Sequence, residues 1–292
     1  MLYNKEKRKV GITMKLVEKQ IFDQERALYG SVGVTVKDCR FDGPADGESA
    51  FKECRDIDVQ DCYFNLRYPF WHDQGLRLVG SELTPLCRAA LWYTDDAVIE
   101  DSRLHGIKAL RECGNITMRR CDVESAEFGW SVRGIEMEDC DVRGEYFMLR
   151  SDRLHFKNVR LKGKYSFQYI ENLEINNCYL DTKDAFWHSK NVTVRNSTVK
   201  GEYLAWFSEN LTLINCHIIG TQPLCYCKGL TLVNCTMEGT DLSFEYSDVQ
   251  ADVKGHILSV KNPRSGTITA DSVGEVIFGD AVMECTGQVI VR

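Results

Sequence analysis

Small residues recur at a fixed distance along most of this chain. The positions held by Cys39, Cys62, Ser81, Ser102, Cys121, Cys140, Val159, Cys178, Ser197, Cys216 and Cys235 are separated by 23, 19 and 21 residues, then by nineteen without exception. A short fixed period means a solenoid, in which each repeat buries its apolar face only against its neighbours.

Inside each repeat, apolar residues alternate with polar ones. Val192 and Val194, Leu211 and Leu213, Leu230 and Leu232, Leu173 and Ile175, and Ile116 and Met118 all follow this rule. Period two is that of a half-buried strand. An Asn or Asp follows (Asp38, Asp61, Asp101, Asp139, Asn158, Asn177, Asn196, Asn215, Asn234), then the small residue and a further apolar position. Asn and Asp accept left-handed backbone geometry, so this row predicts a tight bend between two strands. Glycines at 106, 144, 163, 201, 220 and 239 predict the next corner, and a third strand, such as Ala185–His188, is expected to close the coil. The expected fold is all-β: a right-handed parallel β-helix of about eleven to thirteen coils.

Thirteen cysteines raise the question of disulfides. Seven lie in the small row, and Cys54, Cys113 and Cys227 lie eight residues before it, so the repeat itself generates their metal-like spacing. An inward ladder of free thiols is expected; no metal and no cofactor is expected. A net charge of −7 offers no basic footprint for nucleic acid. No apolar run approaches the roughly 20 residues of a membrane span, so no membrane partner is expected. The basic segment 1–13 lacks the apolar core of an export signal and reads as a disordered extension, with Met14 as the natural start and a cytoplasmic location expected. The remainder, 14–292, reads as one β-helix domain: an N-terminal cap over 14–26, regular coils over 27–246, and irregular final coils with a C-terminal cap over 247–292.

Four stretches carry a family resemblance: Arg67-Tyr-Pro-Phe-Trp-His72, Lys183-Asp-Ala-Phe-Trp-His188, Gly201-Glu-Tyr-Leu-Ala-Trp206 and Gly220-Thr-Gln-Pro-Leu-Cys-Tyr226. Through them residues 14–292 resemble the bacterial domain-of-unknown-function family 3737. The resemblance implies a pectate-lyase-like right-handed β-helix. It brings no established activity and no assigned catalytic residue.

All five tryptophans, Trp71, Trp92, Trp130, Trp187 and Trp206, stand ten residues before the small row, with Lys52, Arg111 and Phe244 among the other members. The next row holds His72, Tyr93, Glu112, Arg150, Tyr169, His188, Phe207, Tyr226 and Glu245. If the Trp row faces outward, it offers an aromatic strip for an extended sugar, with Trp71, Trp92, Tyr93, Arg111, Trp130, Tyr169, Trp187, Trp206, Phe207 and Tyr226 as ligand-binding residues. If it faces inward, it is a core ladder with Arg111 between Trp92 and Trp130. A buried unpaired Arg costs several kcal/mol, and cation–π stacking returns only about 2 kcal/mol, which favours the outward arrangement.

For acid–base chemistry the candidates are His72, Glu112, Arg150 and His188, with Glu145 and Glu202 at the corners. A glycosidase needs two carboxyl groups roughly 5–9.5 Å apart, and Glu53, Glu112 and Glu245 lie several coils from one another. No nucleophile elbow, phosphate loop or zinc signature is present. Two readings follow. One is a carbohydrate-binding protein, with lyase- or hydrolase-like processing of a polysaccharide or oligosaccharide left open. The other is a non-enzymatic scaffold or homo-oligomer whose Trp row is core.

Overall fold

The computed structural model describes residues 14–43 and 47–292. The expected extension 1–13 lies outside them. The chain winds into a parallel β-solenoid of about 14 turns, with no helix among the described residues.

Each regular coil opens with a six-residue strand. Gly114–Arg119, Arg133–Glu138, Asp152–Lys157, Glu171–Asn176, Lys190–Arg195 and Glu209–Ile214 stack in register, so that Leu173 pairs with Val192 and Val192 with Leu211. Alternation then buries the same row in every coil: Ile116, Ile135, Leu154, Leu173, Val192 and Leu211 are all at most 2% exposed. Full burial of each such side chain stabilises by roughly 1.5–3 kcal/mol. Identical positions therefore build the core by repetition rather than by interdigitation.

The expected bend is present. Asp139, Asn158, Asn177, Asn196, Asn215 and Asn234 all have φ between 51° and 55°, in the left-handed region. Their amides also link the coils. Asn158 Nδ2 donates to Asp139 Oδ1, Asn177 to Asn158, Asn215 to Asn196 and Asn234 to Asn215, at 2.7–3.1 Å. The small row behind it is buried and hydrogen-bonded. Ser197 Oγ donates to Arg195 O and accepts the Cys178 N–H, and the Cys216 thiol donates likewise to Ile214 O. A thiol and a hydroxyl thus fill the same place. All thirteen cysteines are free, and every one except the half-buried Cys285 is buried.

Two-to-five-residue strands, such as Arg160–Lys164 and Tyr179–Lys183, form the second flank. The corner after it needs glycine: a Cβ on Gly163 would lie 1.8 Å from Gly144 O, and one on Gly220 would lie 2.2 Å from Gly201 O.

The third flank departs from expectation. Only Phe70–Trp71, Leu91–Trp92 and Leu110–Arg111 pair there as a three-stranded sheet. In later coils, including Ala185–His188, the flank is a run of turns. The reason is a reversed peptide. Phe70 and Leu91 N–H groups donate forward, to Ala90 and Ala109 of the next coil, whereas Met148, Phe167 and Phe186 N–H groups donate backward, to Phe128, Phe147 and Ser166. Left-handed residues alternate around each reversal, as in Tyr165, Phe167 and Tyr169 (φ 60°, 59° and 57°). The inward side chains are unaffected, and Phe167 and Phe186 stack at 5.2 Å within the core.

At the start, the stretch expected to cap the first coil covers its edge by adding rungs. Lys15–Glu18 pairs with Val34–Lys37, and Ile21–Phe22 pairs with Arg40–Phe41. At the other end Asp248–Lys261 and Ser265–Ile277 are long strands with a register shift, and Gln288–Val291 covers part of the last one. Arg292 pins this end by pairing with Asp252 and Asp271.

Candidate functional site

The aromatic rows lie on the third flank. The residues just before the Trp row (Phe70, Leu91, Leu110, Met148, Phe167 and Phe186) are fully buried, the five tryptophans are half-exposed, and most members of the following row are exposed. The Trp row therefore lies outside the core, and the core-ladder arrangement does not occur.

The indoles serve as struts between coils. Trp130, Trp187 and Trp206 each donate Nε1–H to a corner carbonyl sixteen residues on, at Tyr146, Tyr203 and Gln222, over 2.6–2.9 Å. Gln168 makes the same bond to Asp184 O with its amide. In the earlier coils Trp71 and Trp92 stack at 5.7 Å, but their buried Nε1 atoms meet no acceptor among the described residues. Arg111 stands between Trp92 and Trp130, its Cζ 5.6 and 5.3 Å from the ring centres, as the inward alternative pictured it but in a half-exposed row. Lys52 covers Trp71 at 4.5 Å.

The next row forms a second ladder. Tyr169, His188, Phe207 and Tyr226 stack successively at 4.9, 5.0 and 4.7 Å with planes within 14°. Tyr169 and Phe207 are 51% and 43% exposed. The rung spacing of a parallel sheet, about 4.8 Å, is close to the stacking distance of rings. Rings on consecutive coils therefore turn their faces to one another and their edges to solvent. A sugar lying face to face on a ring finds room only where the ladder is interrupted. The ladder continues into Tyr246 rather than Glu245, since the coil between Cys227 and Ser247 holds one extra residue. For the same reason Phe244 belongs to the buried row.

The four acid–base candidates share this ladder, one or more rungs apart. His72 and His188 are six rungs from each other, roughly 29 Å at that spacing, and Glu112 and Arg150 are two rungs, roughly 10 Å. They do not converge on one bond. Glu112 is the one with a charged neighbour, Arg111 Nε at 3.4 Å.

The interruption lies between Tyr93 and Arg150. Here the ladder passes through Glu112 and Ser131, and the small serine leaves a cleft of about 300 Å³ between Tyr93, Asp95, Glu112, Gly114 and Arg133. Asp95, Gly114 and Arg133 are consecutive rungs, so the glycine parts a carboxylate from a guanidinium. Neither the Asp95 carboxylate nor the Arg133 guanidinium has a hydrogen bond or ion pair among the described residues. The cleft continues onto the six-residue strands across Asn115 and Gly134 (φ 90°), reaching Glu136, His155 and Glu174. His155 Nδ1 lies 3.6 Å from Glu174 Oε2. The result is a shallow groove running in the strand direction.

Of the residues proposed from sequence, the groove brings together Tyr93 and Glu112, with Arg111 behind them. Asp95, Ser131, Arg133 and His155 were missed. Ser131 did leave a signal, as a small residue in a row whose other members from Glu53 onward are large.

The chain belongs to the family described as Protein of unknown function (DUF3737), whose model matches residues 15–291. No curated protein matches it in sequence. Among solved structures, the A-module of the Azotobacter vinelandii mannuronan C-5 epimerase AlgE4 is similar over 94% of this chain and 89% of its own, at 10% identity and a TM-score of 0.29. QnrB1, a plasmid-mediated fluoroquinolone resistance protein, is similar over 75% of this chain and 91% of its own, at 10% identity and a TM-score of 0.17. Likenesses this loose align no functional side chain, and nothing of either activity follows from them. No helix among the described residues is long and apolar enough to cross a membrane.

Proposed function

We propose that this member of a family of unknown function binds a carbohydrate chain in the groove that opens where the aromatic ladder breaks. The observation that carries the reading is the interruption at Ser131. With Glu112 rather than a ring on the rung after Tyr93, it leaves a cleft lined by Tyr93, beside a carboxylate and a guanidinium that have no side-chain partner among the described residues. A ring face with convergent acceptors and donors suits a polyhydroxylated ligand, which stacks its C–H face and hydrogen-bonds its rim. The groove's open, elongated form suits a chain rather than a single sugar. Any chemistry would fall to Glu136, His155 and Glu174, which meet along the groove, rather than to the dispersed His72, Glu112, Arg150 and His188.

Completing the ladder tests the reading. Ser131 has φ 56°, nearly that of Tyr93 (55°) and Tyr169 (57°), so the backbone at this position already accepts a tyrosine. Ser131→Tyr should fold normally and lose oligosaccharide binding in titration calorimetry. Unchanged affinity in that variant, or no binding of any glycan by the parent protein, would sink the proposal.

A second reading keeps the protein non-enzymatic and uses the exposed rings from Tyr169 to Tyr246 as a contact for a second copy of the chain. Sedimentation should then show a dimer that Phe207→Asp dissociates; a monomer at high micromolar concentration rejects it.

A further inference from the structure

We infer that the groove selects an acidic saccharide, bearing a carboxylate or a sulfate, and reads the acid group with Arg133 and Arg150; this rests on the groove reading above. Ser131 stands between Glu112 and Arg150 in the ladder, and Arg133 follows it by two residues on the same outward side, with Val132 turned into the core between them. Two guanidinium groups thus flank the small serine of the row.

Neither has a carboxylate to itself. Asp152, one rung above Arg133, is occupied by Arg153 at 2.8 Å and by Asn172 at 2.7 Å. Glu112, one rung below Ser131, lies against Arg111. The contrast with the following coils is plain. In the row that contains Arg133, Lys190 and Lys228 both reach Glu209, and at the corners Lys164 pairs with Glu145 and Lys183 with Glu202. Arg133 lines the cleft, and Arg150, one rung beyond Ser131, has no ion pair or side-chain hydrogen bond among the described residues.

Guanidinium groups bind carboxylate and sulfate oxygens through paired N–H donors, and more specifically than an ammonium does. The opposite end of the cleft has the other character. Asp95 leans over Gly114, its Oδ1 only 2.8 Å from where a Cβ would be, and Tyr93 forms the wall. An acidic sugar would therefore lie with its acid group over Ser131 and its hydroxyl edge toward Asp95. A neutral sugar would meet the guanidinium groups with hydroxyl groups alone, without a charge to pair.

The test compares three trisaccharides by titration calorimetry: a galacturonic acid trisaccharide, a sulfated one and a neutral one. Either acidic ligand should bind at least about tenfold tighter than the neutral one, and more weakly as salt rises, since charge contacts at an open groove are screened. The tighter of the two acidic ligands identifies the acid group. Arg133→Gln and Arg150→Gln, both at exposed positions, should each lower the affinity for the acidic ligands by a larger factor than for the neutral one and so erase most of that preference, with the melting temperature unchanged. Equal affinity for acidic and neutral ligands would overturn the inference and leave the groove reading standing. No binding of any of the three would overturn both.

Discussion

The third flank of the coil is built in two ways. From Phe70 to Arg111 it is a narrow parallel sheet with forward-directed hydrogen bonds; from Phe128 to Tyr246 it is a series of turns in which every second N–H reaches back. The same three side-chain rows, buried, half-exposed and exposed, run through both regions. What the rows require is a backbone that alternates inward and outward at the right height, and two different backbones satisfy that. The regions differ in what happens to polar groups. The turns aim a corner carbonyl at each indole N–H, while the sheet leaves Trp71 and Trp92 without one. The proposed groove lies at the junction of the two.

If the core is indifferent to the backbone outside it, equivalent deletions should cost alike. Phe70→Ala in the sheet region and Phe167→Ala in the turn region each remove a fully buried ring and should each destabilise by about 3–5 kcal/mol in urea unfolding. A difference of more than about 2 kcal/mol between them would mean that the two backbones pack their cores differently.

Asp73 marks a sharper contrast. Its polar counterparts in the turn region are mostly serines, beside the apolar Val132 and Ile170: Ser151 Oγ accepts the Val132 N–H and donates to Gly129 O. Asp73 Oδ1 accepts the Cys54 N–H, but Oδ2 has no partner, and burial raises the carboxyl from 3.8 to about 8. Between those two pH values the native state holds a proton that the unfolded chain has lost. The group's contribution to stability therefore falls as pH rises through that window, and the full penalty stands above about 8. Asp73→Ser should stabilise by a few kcal/mol at pH 8 and by almost nothing at pH 4, measured as denaturation midpoints.

The indoles give the smallest and most specific test. Trp187→Phe deletes the bond to Tyr203 O, whereas Trp92→Phe deletes an N–H that has no acceptor. Both lose similar apolar area, so Trp187→Phe should be the costlier by about 1–2 kcal/mol. Equal costs would remove the distinction between the regions at this row.

The sequence made the buried architecture legible because burial is encoded twice, by the period of nineteen and by alternation within it. The bends were readable for the same reason, since Asn and Asp occupy left-handed positions for a known steric cause. The turn flank was not readable. Phe167, Phe186 and Leu224 also adopt left-handed geometry there, with side chains that give no hint of it, because their hydrogen bonds to neighbouring coils impose it. The aromatic rows were found, but the meeting of their faces depends on the coil spacing, a dimension that residue types do not express. Attention to the largest residues also passed over Ser131, where the row is interrupted.

In-register stacking has a consequence for how such a chain can change length. Excising residues 191–209, one whole period, would join Lys190 to Asn210 and leave every row continuous, because each residue's neighbour nineteen places on does the same work. Losing a single residue from a strand would instead turn the strand's apolar side chains to solvent. The extra residue between Cys227 and Ser247 is absorbed before Leu230, which again pairs nineteen places on with Val249, and a separate shift to eighteen falls between Leu232 and Cys235, at the bend. Lineages of this protein should therefore differ in length by whole coils, with odd insertions confined to corners.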